Sequence, residues 1–233
     1  MQVVVLCGGK GERLKEQTEI IPKPLVEVGG MPILWHIMKI YAHYNHKDFI
    51  LCLGHKGEKI KEYFKKNNSE NWNISFADTG LDTNTGGRIK KIEKFINSDD
   101  FLATYGDGVS DINISNLVEF HKKHGKTATI TCTQLKSNFG IVEINKSDMI
   151  LGFREKPFMK MWINGGFFVF NKRIFSYLSE DSVLEREPME ALAKDNQVRA
   201  YKYNGFCECM DTYKDTRMLN DMVENNKAKW MVW

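Results

Sequence analysis

The sequence predicts an α/β protein whose mostly parallel, mixed sheet is flanked by helices and carries a small C-terminal β extension. Three observations predict it. Up to about Thr133, short apolar runs alternate with segments of helical periodicity, the pattern of βαβ units. The first apolar run, "VVVLC", empties abruptly into the glycine loop "GGKG". After Thr133 the pattern changes to short strand candidates separated by turn residues.

In chain order, Val3–Cys7 reads as a strand and "PILWHIMKIYAHY" as a helix with proline near its first turn. "DFILCLG" is a strand ending on Gly54, and "GEKIKEYFKKN" the helix after it. "WNISFAD", "GGRIKKIEKFI" and "FLATYGD" continue the alternation as strand, helix and strand. "ISNLVEFHKKHG" is a helix with Gly125 just past its end, followed by the strand "TATITCT". "FGIVEIN", "MILGFREK" and "INGGFFVFN" are the later strand candidates. In "VLEREPMEALAKDN" a helix is expected in part, with Pro188 at a turn or first helical position, and the charged tail from Asp211 has helical spacing. No Gly/Ser/Pro linker interrupts residues 1–233, so a single domain with a C-terminal elaboration is expected.

Composition narrows the function classes. The chain has 233 residues, 42% hydrophobic, and a net charge of +3 with no long Lys/Arg block, so nucleic acid is not an expected partner. No apolar run approaches the roughly 20 residues of a membrane span, and the start lacks the basic region of a signal peptide. Five cysteines, three of them in apolar runs, suit buried thiols and a cytoplasmic location. Cys207 and Cys209 lack zinc-site spacing and a second pair.

The glycine loop can present backbone N–H groups to a phosphate, with Lys10 and Arg13 adding charge. Neither the Walker pattern nor GxGxxG is present, so the loop alone also fits a plain strand-to-helix turn. "PKPLVEVGGMPIL" strengthens the phosphate reading. Prolines on both sides of Lys23 are expected to hold its backbone extended, and a preorganised cation costs less ordering entropy on binding. In "TYGDG", Asp107 sits where an apolar strand runs out, the edge at which open α/β sheets collect ligands. Asp211 follows a second apolar stretch, and two aspartates could share one Mg2+ with phosphate oxygens.

Taken in order, "LCGGKGERL", "PKPLVEVGGMPIL", "TYGDG", "FREKP", "INGGFFVF" and "MDT" resemble the sugar-phosphate nucleotidyltransferases over nearly the whole chain. "DTGLDTNTGGRIKKI" and "TYGDGVSDINI" resemble the CTP-using, glucose-1-phosphate cytidylyltransferase branch of that family. The resemblance implies a Rossmann-like nucleotidyltransferase fold, with residues 1–133 or so binding nucleotide and about 134–233 binding the phosphorylated substrate. It implies nucleotide contacts from Leu6, Cys7, Gly8, Gly9, Lys10, Gly11, Glu12, Arg13, Lys23, Thr83, Arg88 and Gly106. It assigns catalysis to Arg13, Lys23 and Asp107, and a Mg2+ cofactor to Asp107 and Asp211. Gly140, Glu155, Lys156, Asn164 and Gly165 would hold the phosphorylated substrate.

The implied reaction transfers CMP from CTP to a phosphorylated small molecule, with glucose 1-phosphate ahead of a phosphorylated amino acid such as phosphoglutamine. CDP-glucose for a surface polysaccharide would be the product of the first, and the enzyme a cytoplasmic homo-oligomer with no membrane partner. Two segments depart from the glucose-1-phosphate enzymes: the short "KKNNSENWN" and the apolar "FMKMW", Phe158–Trp162, which lines the substrate pocket, packs at a subunit interface or closes the core. A non-catalytic nucleotide-binding subunit is the alternative from another class, but it could dispense with Lys23, Asp107 and Asp211, and all three are present.

Overall fold

The computed structural model describes residues 1–14, 18, 20–137 and 139–233, with the backbone alone of Arg13. The chain enters through β1 (Gln2–Leu6), then the short hairpin β2 (Glu27–Val28) and β3 (Met31–Pro32), helix α1 (Ile33–His43) and β4 (Asp48–Leu53). There follow α2 (Gly57–Lys66), β5 (Asn73–Asp78), α3 (Thr85–Lys91), β6 (Asp100–Tyr105), β7 (Gly108–Ser110) and α4 (Ile114–His124). The second half runs through β8 (Ala128–Lys136), β9 (Ile141–Ile144), β10 (Ile150–Arg154) and β11 (Phe158–Asn171). It ends with α5 (Glu187–Lys194), β12 (Val198–Lys202), β13 (Cys207–Cys209) and α6 (Tyr213–Glu224).

Seven strands make the central sheet in the order β12-β8-β11-β6-β1-β4-β5. Parallel pairs join β5, β4, β1 and β6, while β11 runs antiparallel between β6 and β8. The expected mostly parallel, mixed α/β sheet is present. β12 was not anticipated: "VRAYK" mixes charges into an edge strand exposed along much of its length, so it lacks an apolar run.

Strands buried on both faces explain the continuous apolar runs. Val3 and Val5 point into one core with α1, while Val4 points into the other with Ile89 of α3. Trp230 closes the first core; its indole N–H donates to Nδ1 of His36 (3.3 Å), whose Nε2–H donates to the Val28 carbonyl (2.8 Å). His36 is therefore held neutral.

Four histidines are shifted the same way. Burial lowers His36, His121 and His124 from the ordinary value of 6.5, and burial with nearby positive charge brings His46 to about 4. With folded values below the unfolded one, the unfolded chain takes up protons first as pH falls. This stability is complete above pH 6.5 and is lost progressively as pH falls from there toward 4. The melting temperature is therefore expected to drop between about pH 7.5 and 5; a flat or rising profile would show that these histidines do not govern acid stability.

The far ends of β8 and β11, with the β9–β10 hairpin, form an arm on which Ile144, Ile150, Leu151, Phe153, Phe158 and Met161 are exposed. Contiguous apolar exposure of this kind marks an interaction surface more often than a free one. Phe158–Trp162 lies in this arm, and Lys202 Nζ sits over the Trp162 ring at 5.3 Å.

Candidate active site

A cleft of about 770 Å³ opens where β1, β5 and β6 end, the side of the sheet expected from the glycine loop and Asp107. The Leu6–Glu12 segment forms one wall, and Leu81–Thr85 with Arg88 another. Lys23, Gly106, Asp107, Cys209 and Asp211 lie together in the lining.

The two aspartates meet because of a small ribbon. β7 begins directly after Asp107 and β13 ends just before Asp211; the two strands pair antiparallel, with Gly108 opposite Cys209. The Met210 N–H donates to the Asp107 carbonyl (2.9 Å), fixing the register. Asp211 then precedes α6, whose first turn is closed by a capping box between Thr212 and Asp215.

Lys23 stands between these carboxylates. Its ammonium donates to Asp107 Oδ2 at 2.6 Å and Asp211 Oδ1 at 2.7 Å, and its side chain is only 10% exposed. Burial pushes its pKa down, but the two carboxylates more than offset that, leaving it above the ordinary lysine value. Its backbone differs from the extended conformation expected between prolines. Lys23–Leu25 forms a 3-10 turn, closed by Leu25 N–H to the Pro22 carbonyl (2.8 Å) and Val26 N–H to the Lys23 carbonyl (3.0 Å). Pro24 has no N–H to leave unpaired in that turn.

The geometry suits a hard divalent cation. Two carboxylates already converge on one positive charge at the cleft wall, and Mg2+ is commonly held by one or two carboxylates with waters and phosphate oxygens completing its shell. Among the described residues no cluster of three or more metal-ligating side chains exists, so a structural zinc-type cage is not what these residues build.

Arg88 takes a different part from a surface ligand-binding arginine. It is 4% exposed, and its guanidinium donates to five acceptors: the carbonyls of Gly8 (2.9 Å), Leu53 (3.1 Å), Gly80 (2.8 Å) and Leu81 (3.3 Å), and Thr79 Oγ1 (2.7 Å). It ties the glycine loop to the Thr79–Leu81 turn. Gly8 is required for this approach, since a Cβ there would lie 2.1 Å from Arg88 Nη1. Thr83 Oγ1 donates to the Thr79 carbonyl (2.6 Å) on the same wall, and Lys10 pairs with Asp82 across the loops at 2.8 Å. Cys7 is buried with its thiol pushed well up by that burial, and so is a packing residue in the loop. The side chain of Arg13 lies outside the described residues.

The residues expected around the phosphorylated substrate are less gathered. Gly140, Glu155, Lys156, Asn164 and Gly165 are not in the cleft lining. Glu155 and Lys156 sit exposed at the base of the arm, 3.7 Å apart, and Gly140 lies against Glu155 and Phe153. Asn164 reaches the cleft through Tyr105, donating to its hydroxyl at 3.0 Å. Tyr105 and Glu185 are lining residues that sequence reading passed over. Tyr105 could have been noticed two residues before Asp107, at the same strand end; Glu185 carries no local signal.

A strand-end glycine loop thus faces a lysine and two converging aspartates in one cleft. The chain belongs to the nucleotidyl transferase family, whose model matches residues 2–228. It is 44% identical to a probable glucose-1-phosphate cytidylyltransferase of Bacillus subtilis and 41% identical to the glucose-1-phosphate cytidylyltransferase of Salmonella typhimurium, in each case over 100% of both chains. The first alignment runs over 255 positions against the 233 residues here, so that relative holds residues this chain lacks. Among solved structures, HddC of Yersinia pseudotuberculosis complexed with GMP-PN has a TM-score of 0.75 at 23% identity, covering 95% of this chain and 99% of that one. That likeness concerns the fold.

Proposed function

We propose that this chain transfers CMP from CTP to glucose 1-phosphate, releasing pyrophosphate and forming CDP-glucose. The observation that carries the reading is the convergence of Lys23, Asp107 and Asp211 beside a glycine loop in a cleft of nucleotide size. Full-length likeness to two glucose-1-phosphate cytidylyltransferases supports the choice of base and sugar. The chain works as one domain in this reading and as a homo-oligomer, for which the apolar arm offers a surface.

The sugar's phosphate oxygen attacks the α-phosphorus in line; the new P–O bond forms as the bond to the β-phosphate breaks and pyrophosphate takes the electron pair. That phosphate is ionised near neutral pH, so the protein's task is positioning and charge neutralisation. The glycine loop binds the triphosphate, and Arg13 and Lys23 balance the charge gathering on the leaving pyrophosphate. Asp107 and Asp211 would hold Mg2+, which when bound supplies further charge neutralisation at phosphate oxygens.

The test is pyrophosphate release with CTP, UTP and dTTP against glucose 1-phosphate, other sugar 1-phosphates and a phosphorylated amino acid. CTP with glucose 1-phosphate is expected to lead, with UTP at least about tenfold slower, because polar groups that pair with cytosine's N4 amine are left unpaired by uracil. Comparable rates with UTP would overturn the donor assignment. A faster reaction with phosphoglutamine would overturn the sugar.

A further inference from the structure

We infer that Glu185 is a positioning residue that sets the orientation of the Asn164 amide through Tyr105 and links it to the nucleotide wall through Thr85. The inference rests on the proposed reaction and adds to it a specificity role for residues outside the expected site. Glu185 lies on the segment before α5 and, with Tyr105 and Thr85, lines the cleft.

The polarity of the chain of hydrogen bonds is fixed by what each group can do. An ionised carboxylate only accepts. Glu185 accepts the Tyr105 hydroxyl on one oxygen and the Thr85 hydroxyl on the other, the latter at 2.7 Å. With its only proton committed to Glu185, the Tyr105 oxygen is left as an acceptor, and Asn164 Nδ2 donates to it at 3.0 Å. At its other end the Asn164 amide is held by Gly166 N–H, which donates to Oδ1 at 2.9 Å. The amide is thus oriented at both ends, with one N–H and one oxygen lone pair still open to a hydroxylated ligand. Gly166, at φ +79, lets the tyrosine ring lie close, since a Cβ there would stand 2.8 Å from Cδ2 of Tyr105.

The other carboxylate oxygen reaches the nucleotide side. Thr85 opens α3, and its hydroxyl accepts the Leu184 N–H at 2.9 Å. Asn84 donates to the Asp181 carbonyl (3.2 Å) and Gly87 N–H to the Ser182 carbonyl (3.0 Å), so the whole 181–185 segment is fastened over the start of α3. One carboxylate therefore spans the wall that carries Thr83 and the strand end that carries Asp107.

Glu185→Gln keeps the volume and reverses the polarity, because the amide must donate to one of two hydroxyls. Tyr105→Phe removes the relay hydroxyl and leaves the ring. In steady-state pyrophosphate-release assays, each is expected to raise KM for glucose 1-phosphate about tenfold, the worth of one oriented hydrogen bond, with KM for CTP within about twofold. The double variant should be no worse than Tyr105→Phe alone, since both changes break the same relay. Unchanged KM for the sugar phosphate, equal rises in both KM values, or additive losses would overturn the inference. If Glu185→Gln fails to fold, Tyr105→Phe decides alone. Wild-type protein is assayed first: no turnover with glucose 1-phosphate would refute the proposed reaction, and the relay is then tested with the substrate the panel selects.

Discussion

Lys23→Ala is expected to lower turnover by about 10²-fold or more, the usual loss when one preorganised donor to a charged transition state is removed. It should also change how the fold responds to metal. The Lys23 ammonium sits between Asp107 and Asp211 at 2.6 and 2.7 Å and offsets their mutual repulsion. Removing one partner of a fully buried ion pair costs about 3–5 kcal/mol. Here the carboxylates are 25% and 28% exposed, so solvent screens part of the repulsion and a cost of about 2 kcal/mol is the reasonable scale. In EDTA the variant should therefore melt several degrees below wild type, and millimolar Mg2+ should close most of that gap by restoring positive charge between the carboxylates. Turnover should stay low even at saturating Mg2+. Two measurements settle it: thermal melts with and without Mg2+, and pyrophosphate release. A variant with near-normal turnover would reduce Lys23 to a structural counter-ion. A melting deficit that Mg2+ leaves untouched would show that Asp107 and Asp211 do not share the cation.

The parts of this site legible in sequence are those encoded locally. A doubly buried parallel strand must be apolar throughout, so Gln2–Leu6 stands out, and the glycines that follow mark where the chain turns at the sheet edge. Asp107 is legible for the same reason, at the end of the buried run of β6. What was hidden depends on distant pairing. Asp211 meets Asp107 through a ribbon whose strands are three residues each, too short for any periodicity to reveal. Glu185 reaches the cleft only because the segment around it folds over α3, held by backbone carbonyls that every residue possesses.

The expected substrate-binding residues illustrate the same limit. "FREKP" is legible as a motif, yet where Glu155 and Lys156 lie depends on the arm formed by the β9–β10 hairpin and the exposed far ends of β8 and β11, with register shifts at bulges. Phe158–Trp162 opens β11 in that arm, with Phe158 and Met161 strongly exposed, and, like Glu155, Lys156 and Asn164, it is absent from the cleft lining. Exposure of this kind is what an interface segment shows, while absence from the lining is shared with the expected substrate-binding residues and does not weigh against the pocket wall.

Arg88 shows how a residue expected at a ligand can have a role within the protein itself, and it gives the other large expected effect. Placed beside the nucleotide by its motif, it turns out to bind the protein's own loops, with five acceptors on one buried guanidinium. A lysine offers three donors from a single point and cannot satisfy that array. Charge-assisted hydrogen bonds are worth about 1.5–3 kcal/mol each, so losing two of them should free the Gly8 carbonyl and weaken CTP binding about 100-fold or more. Arg88→Lys is the direct variant; Gly8→Ala is the converse, since its Cβ would displace Nη1 from the other side without removing the charge. Both should weaken CTP in calorimetric titration and make the loop more susceptible to protease, while circular dichroism still reports a folded chain. CTP affinity unchanged in both would mean that the glycine loop holds its shape without Arg88. Loss in Arg88→Lys alone would mean that the guanidinium touches the nucleotide itself. Loss in both, by similar factors, is the result this geometry requires.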